Sequence, residues 1–204
     1  MLVYAILELL QHKPLSGYEL KKRFSGSIVF FWHARHSQVY PELKRMEKQG
    51  LIAGTRVEQE TRPAKRVYAI TADGERALKA WLKRPVALQA VKDQMMLKTF
   101  AFHLIEPQEA AAQLRHHQRL HQRRLDLYLA TRQELEQRCG EIDATGDPIA
   151  FWNAVTLGYS IELERSYIAW CNWALERQRR FNARAVEANA NGAPAGGPTE
   201  GAVG

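Results

Sequence analysis

The sequence offers little to support catalysis, metal binding or membrane insertion. Its two cysteines, Cys139 and Cys171, stand apart without C-x-x-C spacing, which leaves neither a disulfide framework nor a zinc site. There is no Gly-rich phosphate loop, and no Ser/His/Asp or paired-carboxylate arrangement; such patterns mark nucleotide handling and hydrolysis. The longest uncharged apolar run, residues 148–161, is too short for a bilayer. The N-terminal M-L-V-Y-A-I-L-E-L-L lacks a basic leader and a small-residue cleavage site, so it does not read as a signal peptide. Three histidines, His116, His117 and His121, invite a metal reading, since 117 and 121 lie one helical turn apart. No carboxylate follows at ligand spacing, however, and Arg115, Arg119, Arg123 and Arg124 crowd the same segment. A solvated basic face is the expectation there. Together these absences describe a reduced, cytoplasmic protein that is no enzyme and takes no metal or cofactor.

Positive charge is present, and it is unevenly placed. The net charge is +7, but residues 1–92 carry 17 Lys and Arg against 8 Asp and Glu, while residues 93–204 carry 12 against 14. A basic N-terminal half is the electrostatic footprint of a nucleic-acid binder. An anionic membrane would require a basic amphipathic helix or a spanning segment instead.

The basic half centres on H-S-Q-V-Y-P-E-L-K-R-M-E-K-Q-G-L, residues 36–51. Ser37 is an expected N-cap, Pro41 sits in or beside the first turn, and Gly50 fits the left-handed residue beyond the end. Val39, Leu43 and Met46 share one narrow arc that must face a core. Ser37, Pro41, Lys44 and Lys48 lie opposite, flanked by Gln38 and Arg45. Such a helix suits a DNA major groove, where Gln pairs with adenine and Lys or Arg reaches guanine or phosphate.

Around it the chain reads as follows. Residues 2–11 form a buried helix, and Ser16 with Glu19 makes a capping box for a second helix bearing Lys21 outside. After Gly50 the apolar period changes from 3.6 to 2, giving strands at 52–58 and 66–70 joined by a polar tip with Arg62 and Lys65. Thr71 caps the next helix. Three helices and a basic hairpin define a winged helix-turn-helix over residues 1–84. A hinge covers 85–92. Helices at 93–104, 107–139 and 148–181 then build a helical domain over 93–184. The last has two apolar stripes, one of them Trp152, Val155, Tyr159, Leu163, Tyr167 and Trp170. A helix apolar on two sides is buried on two sides, so a second subunit is expected. Residues 185–204 read as a disordered Ala/Gly/Pro-rich tail. The fold class is mainly α with a small β wing.

The segments L-S-G-Y-E-L-K-K-R-F, F-W-H-A-R-H-S-Q-V-Y-P-E-L-K-R-M, Y-A-I-T-A-D-G and V-K-D-Q-M-M-L-K resemble the PadR family of bacterial transcriptional regulators, over everything except the tail. The long C-terminal helices look like the larger subgroup, which dimerises through them. The resemblance implies a homodimer on pseudo-palindromic double-stranded operator DNA. More narrowly, it is similar to the family's repressor of phenolic acid decarboxylase genes, which p-coumarate-type acids relieve. A PadR-like regulator of another aromatic or drug-type effector is an alternative, as is a winged helix that binds protein rather than DNA. The sequence does not set the sign of regulation. Candidate DNA contacts are Ser16, Tyr18, Lys21, His36, Ser37, Gln38, Tyr40, Pro41, Lys44, Arg45, Lys48, Arg62, Lys65 and Arg66. Candidate effector residues are Phe31, Trp32, His36, Lys92, Met96 and Phe100, flat apolar walls with a cation for a carboxylate.

Overall fold

The computed structural model describes residues 1–24, 38–58, 64–88, 92–141 and 146–190, with side chains to 187. The chain divides into two compact units, Met1–Ala90 and Val91–Gly204.

In the first unit, α1 (Leu2–His12) turns Ile6, Leu7, Leu9 and Leu10 inward. A two-residue strand β1 (Leu15–Ser16) follows, which the sequence pattern missed because two residues show no alternation. It leads into α2 (Gly17–Phe24) through the expected capping box. The Glu19 N–H donates to Ser16 Oγ at 3.3 Å, and the Ser16 N–H donates to Glu19 Oε2 at 2.8 Å. Two orphan donors are thereby satisfied.

Helix α3 (Val39–Lys48) buries Val39, Leu43 and Met46 completely. Truncating a leucine so placed costs about 2–5 kcal/mol. Ser37, the expected cap, lies outside the described residues. Gln38 stands at the cap position and its side chain makes no capping bond. The helix ends as its sequence indicates. Gly50 has φ +73°, the Leu51 N–H donates to the Met46 carbonyl, and the Gly50 N–H donates to the Glu47 carbonyl, both at 3.0 Å. Crossed bonds of this kind satisfy the last free carbonyls of a helix.

Strands β2 (Ile52–Val57) and β3 (Lys65–Ile70) pair antiparallel from Ile52–Ile70 to Val57–Lys65, and the sheet order is β1-β3-β2. Thr71 then has two tasks. Its hydroxyl accepts from the Gly74 N–H at 3.1 Å to cap α4 (Ala72–Leu82), and donates to the Gly50 carbonyl at 2.6 Å. The end of α3 and the start of α4 are so joined. Helix α4 closes over α1, with Tyr4 stacked on Trp81 at 4.5 Å between ring centroids.

The second unit begins with α5 (Gln94–Phe100), capped by Asp93, which accepts from the Met95 and Met96 N–H groups. It is shorter than the 93–104 helix expected: a 3-10 turn, Phe102–Leu104, finishes it. Helix α6 (Pro107–Cys139) has Pro107 in its first turn, where a missing N–H costs least. Helix α7 (Pro148–Ala190) outruns its expected end at 181 and enters the segment read as tail. The reason is local, since residues 182–190 hold four Ala, the strongest helix former, and no Gly or Pro interrupts the chain between 182 and Gly192.

Helices α6 and α7 run antiparallel, as the contacts Gln178–Pro107 and Gln118–Asn172 show. Their seam holds Leu114, Leu125 and Tyr128 against Leu157, Ile161 and Cys171. It also holds a carboxylate. Glu164 is 1% exposed, bonded to His121 Nδ1, with Arg124 Nη2 at 3.0 Å. His121 is buried too; its Nε2 meets His117 Nε2 at 3.0 Å, and Tyr167 stacks on its ring at 4.1 Å. The solvated basic face expected for these histidines is therefore corrected at His121 and in part at His117. Glu164 arrives from the other helix and gives His121 a reason to be inside. Among the described residues no group of three or more His, Cys, Asp or Glu is placed to hold a metal, and no helix is long and apolar enough to cross a membrane.

Candidate nucleic-acid interface

The outward face of α3 is built by subtraction. With Val39, Leu43 and Met46 turned inward, Gln38, Pro41, Lys44, Arg45 and Lys48 are all exposed. Lys44 and Lys48 have no carboxylate within ion-pair range among the described residues. Arg45 is held along the helix by Glu42, one turn back, which fixes its guanidinium rather than burying it. Tyr40 is half exposed, and its ring lies over α2, where a Cβ added at Gly17 would meet it at 2.6 Å. Tyr18 stands exposed at the start of α2, beside exposed Lys21.

Two of the residues singled out from the sequence are placed otherwise than expected. Ser16 is only 6% exposed, and its hydroxyl is hydrogen-bonded to the Glu19 carboxylate at 2.5 Å. It has neither surface nor a free hydroxyl for a phosphate, so it leaves the candidate interface as a cap. The same bonds hold the Glu19 carboxyl below the usual carboxylate range: the Ser16 hydroxyl first, then the Ser16 N–H.

Arg66 is exposed, but its Nη2 lies 2.6 Å from Glu47 Oε1. Facing it in register across the hairpin is Arg56, itself paired with Glu58 at 2.7 Å. Like charges directly opposite on two strands repel, and each arginine has turned to a glutamate. Arg66 is therefore engaged within the protein rather than offered to a ligand. Lys65, half-buried at the start of the same strand, pairs in register with Val57 at the tip end of the wing.

Glu47 is the residue that sequence reasoning overlooked. Its Oε1 also accepts from the Gly54 N–H at 3.0 Å. The only sequence signal was negative: an acidic residue on the last turn of an otherwise cationic helix, where a helix end disfavours anions.

His36, Ser37 and Arg62 lie outside the described residues, as do Phe31 and Trp32 of the expected effector set. Of the rest of that set, Lys92, Met96 and Phe100 are exposed. On α7, Trp152 (64% exposed), Tyr159 (65%), Val155 and Leu163 form an open apolar stripe. Tyr167 and Trp170 are half-buried, because Tyr167 stacks on His121 and Trp170 meets it edge-on at 5.9 Å. The stripe expected to meet a second subunit is thus partly committed to its own chain.

A model described as the transcriptional regulator PadR-like family matches residues 6–80, and one described as virulence activator alpha C-term matches 91–179. The negative transcriptional regulator PadR of Bacillus subtilis is 31% identical over 176 residues, which cover 83% of this chain and 93% of that protein. The crystal structure of Bacillus subtilis PadR in complex with operator DNA is similar with a TM-score of 0.78 at 30% identity, covering 87% of this chain and 98% of that one. Its crystal structure in complex with p-coumaric acid gives a TM-score of 0.73 at the same identity and coverage.

Proposed function

The chain belongs to the PadR-like family of transcriptional regulators, and we propose that it is a homodimeric DNA-binding repressor released from its operator by a small aromatic acid. Members of this family are regulators and not enzymes, and so is this chain. The observation that carries the DNA reading is the outward face of α3, with Gln38, Lys44, Arg45 and Lys48 exposed above a fully buried Val39–Leu43–Met46 back. A short helix held this firmly presents its polar face as a rigid unit, as major-groove reading requires. The relative crystallised with operator DNA supports it. Gln38 reads a base edge; Lys44, Lys48, Lys65, Lys21 and Tyr18 meet the backbone.

The open stripe on α7 supports a homodimer, since exposed apolar patches of this kind mark association surfaces. A two-fold protein places two recognition helices on one face of the duplex, so the operator is a pseudo-palindrome with half-sites one helical turn apart. The work is done in the cytoplasm, beside the chromosome.

The p-coumaric acid complex of the relative supports a hydroxycinnamic acid as the effector; a phenolic acid decarboxylase-type gene is the target proposed with it. Of the candidate effector residues, Lys92, Met96 and Phe100 are exposed on the second unit and are proposed to meet the acid; Phe31, Trp32 and His36 lie outside the described residues. An acid of this kind acts only if it binds the arrangement that does not bind DNA more tightly. The test is a mobility shift on DNA upstream of the protein's own gene, with and without p-coumaric acid. A specific complex dissolved by the acid is expected. Calorimetry that detects no hydroxycinnamate binding to the purified protein removes the effector and leaves the DNA reading standing. Gln38→Ala is expected to flatten sequence preference, whereas Lys48→Ala weakens binding to every duplex alike.

A further inference from the structure

We propose that Glu47 is the positioning residue of the DNA interface: it ties the last turn of the reading helix to both strands of the wing, and Arg66 is its strut rather than a phosphate contact. The inference rests on the DNA-binding function proposed above.

Two hydrogen bonds meet at one carboxylate oxygen. Glu47 Oε1 accepts from the backbone N–H of Gly54 on β2 at 3.0 Å and from Arg66 Nη2 on β3 at 2.6 Å. Glu47 itself lies on α3, at the turn whose carbonyl receives the Gly50 N–H. One side chain therefore joins three elements. The space it occupies is made by the absence of another: a Cβ at Gly54 would come within 2.5 Å of both Glu47 Oε1 and Arg66 Nε, and 3.1 Å of Tyr68 Cε1. Below the pair, Tyr68 fills the floor of the wing and is nearly buried. The Arg66 guanidinium is held in its charged form by the Glu47 carboxylate, first through the hydrogen bond and then through charge.

A surface ion pair contributes little to stability in itself. Its effect here is geometric, because a winged helix reads DNA only when helix and wing reach the same duplex together. The arrangement also accounts for an acidic residue beside a surface that meets a polyanion. On charge alone, removing Glu47 would strengthen DNA binding, since it raises the local positive potential. A positioning role demands the opposite sign.

The experiment uses the full chain and a fluorescent 30-base-pair duplex of mixed sequence (~30 base pairs spans about three turns), with anisotropy followed over a salt series. Glu47→Ala is expected to weaken binding about 5-fold and to lower the log–log salt slope by about 1, as one wing contact is lost. Gly54→Ala, which changes no charge, is expected to do the same, and guards against a fault peculiar to the first variant. Thermal melting of both variants within a few degrees of the parent identifies a positioning effect rather than unfolding. Arg66→Gln then completes a cycle: in the Glu47→Ala background it is expected to add nothing. Glu47→Ala binding as tightly as the parent, or more tightly, overturns the proposal. So does an Arg66→Gln loss of equal size in both backgrounds, which makes Arg66 a direct contact. A parent chain that binds no duplex at low salt refutes the DNA-binding function itself and takes this proposal with it; the failure of the variants alone does not.

Discussion

His121 Nδ1 and Glu164 Oε2 are hydrogen-bonded inside the α6–α7 seam, between side chains 10% and 1% exposed. A carboxylate so deeply placed is tolerable only because it is partnered, here by His121 and by Arg124. Removing one partner leaves charge in the interior without compensation.

His121→Leu is accordingly expected to destabilise the protein by about 3 kcal/mol, the usual cost of breaking a buried pair from one side. Chemical denaturation measures it. Pairing the change with Glu164→Leu is expected to restore much of the loss, because both polar partners are then gone.

His117 gives the same unit a pH dependence. Burial pushes its imidazole below the ordinary 6.5, neighbouring His121 pushes it further, and His116 adds a little; Asp93 and Glu164 act the other way. The unfolded chain therefore binds a proton more readily than the folded one, so stability is complete above 6.5 and falls as the pH drops below it. Melting temperatures taken between about pH 7.5 and about pH 5.5 should decline, and His117→Gln should flatten the decline.

Ser16→Ala separates a cap from a contact. It is expected to cost about 1 kcal/mol of stability by removing the α2 cap while leaving the salt slope of DNA binding unchanged. A lowered slope with unchanged stability would return Ser16 to the interface.

The α7 stripe is tested by placing charge on it. Trp152→Asp with Tyr159→Asp, both on exposed side chains, should yield a folded monomer by sedimentation, with operator affinity lost. A dimer that survives both changes places the interface elsewhere.

How much of this was written in the sequence depends on the range of the interaction. The end of α3 was legible because Gly50, Leu51 and Met46 are near neighbours and each acts through its own backbone. The caps at Ser16 and Thr71 were legible for the same reason. The Glu47–Arg66 strut was not: its partners are 19 residues apart, and a lone glutamate on a basic helix carries no periodic signal. His121 misled because its own helix surrounds it with arginines, while Glu164, which decides its burial, is 43 residues away. Strand β1 is invisible at two residues, and α7 runs past its expected end because the Ala/Gly/Pro-rich composition of 185–204 masks the helix propensity of its first residues.

The salt dependence of duplex binding by the unmodified chain tests the central claim most directly. A protein laying the exposed cations of α2, α3 and the wing on phosphates should bind mixed-sequence DNA at low salt and lose affinity along a straight log–log line, each phosphate contact contributing about 0.9 to the slope. Lys48→Ala should reduce that slope by about 1. Affinity that is absent at low salt, or that does not change as salt is added, would contradict the account.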